Sequence, residues 1–158
     1  MKVCWFSTGI SSFVACYLAK DVDEIIYTHV ANQHPDSLRF LHDCEKLLGR
    51  KITVLQSDEY RDVDDVIEKT RCINTPFGAP CTEKLKKRVR MKWEREHPDH
   101  HIYVWGMDAT EKNRAARLET TDGLSQREIQ LRIWKMRKNC LHLVLSFNFQ
   151  NKRRCKYE

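Results

Sequence analysis

Ser7, Thr8, Gly9, Ile10, Ser11 and Ser12 stand where an apolar run stops and helical spacing begins. Small hydroxyl residues around a glycine at such a junction suit an anion. Amides at a helix start, assisted by the helix dipole and by nearby hydroxyls, can hold phosphate oxygens. Gly9 is expected to supply the tight turn. The plain alternative is an ordinary strand-to-helix turn with Ser11 as N-cap. The string is neither Gly-x-x-x-x-Gly-Lys-Ser/Thr nor Gly-x-Gly-x-x-Gly, so spelling excludes a P-loop and a dinucleotide fingerprint. Glu111, Arg114 and Arg117 share about one helical face. Two arginines there could clamp phosphate oxygens, or the triplet could be a surface ion-pair ladder. Cys81 precedes a basic helix and Cys155 lies in Arg-Arg-Cys-Lys; neighbouring cations favour the thiolate. Their plain alternatives are a loop-shaping residue and an incidental tail cysteine.

The elements that must position these groups alternate. Lys2 to Phe6 reads as a buried strand, Ser11 to Lys20 as a helix, and Glu24 to Ala31 as a β-branched and aromatic strand. Asp36 is expected to cap a helix that Gly49 stops. Lys51 to Gln56 is a third strand, and Val63, Val66 and Ile67 mark a short helix. After the Pro/Gly loop 74–81 comes a basic helix, Thr82 to Glu96, and then a fourth strand, Ile102 to Trp105. Strand–helix alternation of this kind implies βαβ units and a parallel sheet. Ser125-Gln126-Arg127-Glu128 matches a capping box and predicts a basic helix to about Lys138. Leu141 to Phe149 is a candidate last strand, and Asn151 to Glu158 a charged tail. Lys84, Lys86, Lys87, Arg88, Arg90, Lys92 and Arg95 spread around their helix. They are expected to be solvated and mostly outward, with Lys84 in reach of a terminal phosphate or sulfate.

The chain has 158 residues, 41% apolar and 32% charged, as expected of one globular domain. No apolar run reaches the roughly 18–20 residues that span a bilayer, and the opening does not read as a secretory signal, so no membrane partner is expected. The net charge of +6 favours an anionic partner, either a nucleotide or nucleic acid. The seven cysteines are odd in number and mostly fall in apolar stretches. They are expected to be unpaired thiols in a reducing, cytoplasmic compartment. No Cys-x-x-Cys occurs, and His29, His34, His97, His100 and His101 match no ligand spacing. No metal centre and no iron–sulfur cluster are expected.

Four segments, in order, carry a resemblance. Phe6 to Ser12 resembles a variant of the Ser-Gly-Gly-x-Asp-Ser pyrophosphate loop of the adenine nucleotide α-hydrolase-like (PP-loop) superfamily. That superfamily includes ATP pyrophosphatases, ATP sulfurylase small subunits and phosphoadenosine phosphosulfate (PAPS) reductases. Ala31-Asn32-Gln33-His34-Pro35-Asp36 resembles the end of strand two in PAPS reductase-like proteins, especially those of bacteriophages. Gly78 to Lys86 resembles their Cys-Thr-x-x-Leu-Lys segment, and Gly106 to Arg117 their Gly-x-x-x-x-Glu-x-x-Arg element. The resemblance covers residues 1–118. It leaves 119–158 as an atypical basic extension, helical and in part β.

The resemblance implies a single α/β domain: an open, mostly parallel sheet with helices on both faces, of HUP/PP-loop type. It implies that Ser7, Thr8, Gly9, Ile10, Ser11 and Ser12 hold phosphates and that Ala31 and Asn32 lie near the adenine or ribose. Gly106 would end strand four, and Arg114 and Arg117 would bind the distal phosphate or sulfate, with Lys84 and Glu111 close by. The ligand would be PAPS, its 3′-phosphorylated product, or ATP with magnesium. The implied activity is an oxidoreductase of sulfur metabolism, reducing an activated sulfate with a thiol reductant through Cys81 or Cys155. The alternatives are an ATP pyrophosphatase-type adenylating enzyme of nucleic-acid or sulfur modification, and a degenerate nucleotide-binding protein with an acidic or nucleic-acid partner. A phage-encoded member would work in the host cytoplasm. Three departures stand out. Thr8 replaces a glycine, Ser11 replaces an Asp that would contact magnesium, and the reductase tail Glu-Cys-Gly-x-His is absent.

Overall fold

The computed structural model describes residues 1–76, 78–98, 101–108, 111, 113 and 129–134. Four parallel strands, β1 (Lys2–Phe6), β2 (Glu24–Thr28), β3 (Thr53–Leu55) and β4 (Ile102–Asp108), form the centre, and β5 (Ile129–Trp134) adds a fifth. The order is β3-β2-β1-β4-β5, and every pairing is parallel. The helices are α1 (Ile10–Leu18), α2 (Asp36–Leu48), α3 (Val63–Thr70), α4 (Pro80–Thr82) and α5 (Arg88–Glu96). A π-helical turn, Glu83–Lys87, links the last two.

The strands are buried on both faces, and their side chains alternate with period two. Cys4, Phe6, Ile25, Tyr27 and Val104 face α1 and α2, where Phe13, Val14, Ala15, Leu41 and Cys44 complete an apolar layer. Val3, Trp5, Ile26 and Tyr103 face the other way and pack with Trp93 of α5. Helices therefore cover both faces. A smaller cluster of Val30, Val66 and Leu85 gathers the loop after β2, α3 and the π turn.

Several expectations change. The helix predicted from Ser125 is, at Ile129–Trp134, a strand paired with β4 from Tyr103 to Asp108. Ile-Gln-Leu-Arg-Ile-Trp alternates apolar and polar residues, and that period outweighs the capping-box match. β2 stops at Thr28 because the chain turns, with the Gln33 N–H donating to the Val30 carbonyl at 3.1 Å. Asp36 opens α2 from its first turn, behind Pro35, and binds Arg39 instead of capping. Gly49 ends α2 at φ 63, as its left-handed freedom suggests. The basic helix starts at Pro80, where proline's missing N–H costs nothing.

Cys4 and Cys16, expected as unpaired thiols, are joined by a disulfide. Cys4 points from β1 toward α1, Cys16 points from α1 toward the sheet, and their Cα atoms are 6.1 Å apart, within disulfide range. Cys44, Cys72 and Cys81 are free. Burial, reinforced by Asp43, pushes the Cys44 thiol up to about 12, which makes it a packing residue. His101 is buried against Trp93 and Tyr103, at ring distances of 5.1 and 6.0 Å, and so is a core histidine. Leu141 to Phe149, the tail and the segment 119–128 lie outside the described residues.

Candidate functional site

In an open parallel sheet, ligands bind beyond the carboxyl ends of the strands, at the point where strand order reverses. Here the chain winds outward from β1 through β2 to β3, then returns to β4 on the opposite side of β1. The reversal point lies between β1 and β4, and the loop that leaves β1 there is Ser7–Gly9.

α1 reaches close to β4 at this point. A Cβ on Gly106 would stand 2.3 Å from the Ser11 carbonyl oxygen and 2.4 Å from Ser12 Cα, so no side chain fits. Glycine at the end of the β4 core lets the first turn of α1 rest on the sheet backbone.

The turn itself differs from expectation. Gly9 is extended (φ −119, ψ 158), and a Cβ there would meet only Ser7 Oγ, at 3.7 Å. The left-handed residue is Thr8, at φ 53. A β-branched side chain in that region is strained, and such outliers concentrate at functional sites.

Ser12 is buried, and its hydroxyl is fully engaged. It accepts from the Ser7 N–H at 3.2 Å and the Gly9 N–H at 3.3 Å, and donates to the Gly9 carbonyl at 2.8 Å. Ser12 therefore shapes the loop from beneath. Ser7 is exposed, while Thr8, Gly9 and Ser11 are half-buried at the loop surface.

The first intrahelical bond of α1 runs from Phe13 N–H to Gly9 at 3.0 Å. The amides of Ile10, Ser11 and Ser12 thus have no acceptor within the helix. Gly9 offers no side-chain cap, and the first turn holds no acid. α3 is the opposite. Its N-cap Asp62 accepts from the Asp65 N–H at 2.8 Å, and Asp64 and Asp65 sit in its first turn. That hydrogen bond, then Arg61, holds the Asp62 carboxyl below its usual value. α3 carries its own anion, whereas the first turn of α1 holds none.

Ala31 and Asn32 are exposed on the loop after β2. Asn32 accepts from the Val63 N–H at 3.4 Å and reaches Asp64 at 3.5 Å, which ties this loop to α3. Cys81 packs against the Val30, Val66 and Leu85 cluster, the environment of a structural thiol. Lys84 is mostly covered and lies 3.6 Å from Glu83. Glu111 is half-buried. Arg114, Arg117 and Cys155 lie outside the described residues.

The basic helix also differs from expectation. It borders an open groove of about 720 Å³ whose far wall is Gln56 to Glu59. Across the groove Arg88 pairs with Glu59 at 3.5 Å and Lys92 with Asp58. Arg88 also meets Glu83 at 3.2 Å. Arg90 is not outward: it pairs with Glu94 at 3.6 Å, both only 11% exposed, and lies over the Trp105 ring.

The residue that sequence reasoning missed is Tyr27. It is 1% exposed, yet its hydroxyl donates to Gln33 Oε1 and lies 3.5 Å from His29 Nδ1. Its aromatic β-propensity concealed it as an ordinary strand residue. Among the described residues no group of His, Cys, Asp or Glu is placed to hold a metal, and no helix is long and apolar enough to cross a membrane. No protein-family model matches the chain, and no curated protein matches it in sequence.

Proposed function

We propose that this chain binds a phosphorylated adenine nucleotide at the β1–β4 reversal point, in the manner of the HUP/PP-loop proteins it resembles. The phosphates sit on the amides of Ile10 and Ser11 and the hydroxyls of Ser7, Thr8 and Ser11, while Ala31 and Asn32 flank the nucleoside. Arg114 and Arg117 take the distal phosphate. The observation that carries this reading is the start of α1: amides with no helical acceptor, no capping side chain and no acid in the first turn. That arrangement is suited to an anion.

A 3′-phosphorylated adenine nucleotide is favoured over magnesium-ATP, because no carboxylate stands in Ser7 to Ser12 to hold the ion. Within this reading the reaction class is thiol-dependent reduction of an activated sulfate. Cys155 is the candidate thiol, because Cys81 is engaged in packing. The reading of an acidic or nucleic-acid partner on the basic helix loses support from the ion pairs that already occupy Arg88, Arg90 and Lys92.

The test uses Ile10→Pro. Ile10 is 42% exposed and is the first helical residue, where proline is favoured and removes only a free donor. Extended Gly9 is compatible with a following proline. Affinity for 3′-phosphoadenosine 5′-phosphate should fall about tenfold with the thermal midpoint nearly unchanged. Unchanged affinity in the folded variant would remove α1 from the site.

A further inference from the structure

The bond between Cys4 and Cys16 encloses the candidate site. Cys4 lies in β1, which pairs with β2 on one side and β4 on the other, so it is a fixed point at the centre of the sheet. Cys16 lies in the last turn of α1, and the covalent ring from one cysteine to the other contains all of Ser7 to Ser12. Both belong to the apolar layer, Cys4 fully buried and Cys16 5% exposed. α1 has only nine residues, too few to hold a helix without packing. Its apolar anchors begin at Phe13. Before them Ile10 is exposed, Ser11 is half-buried, and Ser12 alone is buried. The first turn therefore rests on the sheet through backbone at Gly106, with no apolar side chain of its own driven into the core. Cys44 shares the layer, but burial pushes its thiol up to about 12, so it offers no thiolate to exchange with the bond.

We propose that the Cys4–Cys16 disulfide is a redox latch on the anion site: closed, it seats α1 on β1 and keeps the Ile10 and Ser11 amides aimed; reduced, it lets α1 open and weakens the site. The proposal rests on the nucleotide reading above. A dithiol supplies two electrons and two protons. Its sulfurs close into a disulfide as the Cys4–Cys16 bond becomes two thiols. Cutting the ring frees the opened segment from a constraint, so α1 opens more often while the strands stay paired. Only the closed fraction binds, and the apparent affinity falls with that fraction. Linkage then requires bound nucleotide to favour the disulfide by the same factor.

The experiment compares the oxidised full chain with the same chain reduced by dithiothreitol. Each is titrated with 3′-phosphoadenosine 5′-phosphate, and amide hydrogen exchange is measured without nucleotide. Reduction should weaken binding about fivefold and speed exchange at Phe13 to Cys16 at least tenfold, by about the same opening, with α2 unchanged. At saturating nucleotide, the ratio of reduced to oxidised dithiothreitol that half-reduces the bond should rise by about the same fivefold. The double variant Cys4→Ala, Cys16→Ala should match the reduced wild type and ignore the reductant. If that variant does not fold, the two redox forms of the wild type decide alone. Equal affinity and equal exchange in the two forms would overturn the inference. So would exchange raised equally in α1 and α2, or a response to dithiothreitol that persists in the folded double variant. If neither form binds nucleotide, the proposed function falls, and the exchange comparison decides whether the bond holds α1.

Discussion

The start of α1 and the length of α5 invite opposite guesses from their composition. α5 and the π turn before it carry most of a basic cluster, while Ser7 to Ser12 carries no charge at all. What separates the two is how much of each is already paired. Arg88, Arg90 and Lys92 have carboxylate partners at Glu59, Glu83, Glu94 and Asp58, so much of the formal charge is already balanced. The uncharged loop keeps amides without helical acceptors and a helix dipole with no acid in its first turn. Available potential depends on what remains unpaired, and a residue count does not report that.

The largest expected effect is at the contact that supports the loop. Gly106→Ala drives a methyl group into the Ser11 and Ser12 backbone, so α1 must lift or β4 must bend. Unfolding in urea should show a loss of about 3 kcal/mol, and nucleotide affinity should fall with it. A variant of wild-type stability would mean that the close packing of α1 on β4 is wrong.

The next comparison separates charges that stabilise from charges that bind. Arg90→Ala removes the guanidinium over Trp105 and takes a cation from Glu94, itself only 11% exposed, and should cost about 2 kcal/mol of stability. Lys87→Ala with Arg95→Ala, both exposed, should change stability by less than about 0.5 kcal/mol. Neither variant should weaken nucleotide binding beyond a low-salt effect. A large loss of affinity from the exposed pair at high salt would transfer the site to α5.

The smallest effect concerns α3, the helix whose start is already filled. Asp62 has a lowered folded pKa, chiefly because the Asp65 N–H donates to it, so its contribution is present above the unfolded carboxylate value near 4. It is lost as the pH falls through the lower folded value. Thermal midpoints between pH 2 and pH 5, about the carboxylate range, should therefore drop less steeply in Asp62→Asn than in wild type. Parallel curves would mean that the ionised Asp62 carboxylate adds nothing to the stability of α3.

Much of this arrangement was legible in local pattern. β1 reads from an apolar run ended by a turn signal, α2 from its stripe and Gly49, and the Ser7 to Ser12 junction from hydroxyls around a glycine. What failed was nonlocal. That Cys4 meets Cys16 depends on strand and helix orientation, not on a recognised spacing. The pairing of Lys92 with Asp58 depends on a helix meeting a loop 34 residues earlier in the chain. Tyr27 read as strand propensity because its partner Gln33 reaches the hydroxyl only once the chain turns back after β2. Ser12, counted as a ligand hydroxyl, faces inward because the helix starts at Ile10, which puts it three residues after the Gly9 cap. The strand Ile129–Trp134 was lost to a capping-box spelling, although its alternation was visible.

The claim that an anion binds the uncharged loop in preference to the basic helix is tested most directly by amide chemical shifts. Titrating 15N-labelled protein with 3′-phosphoadenosine 5′-phosphate, at low salt and again at high salt, reads every donor at once. The account predicts that the largest shifts fall on Thr8, Ile10 and Ser11 and that they persist at high salt. Shifts centred on Lys87 to Arg95 that vanish as salt rises would contradict it.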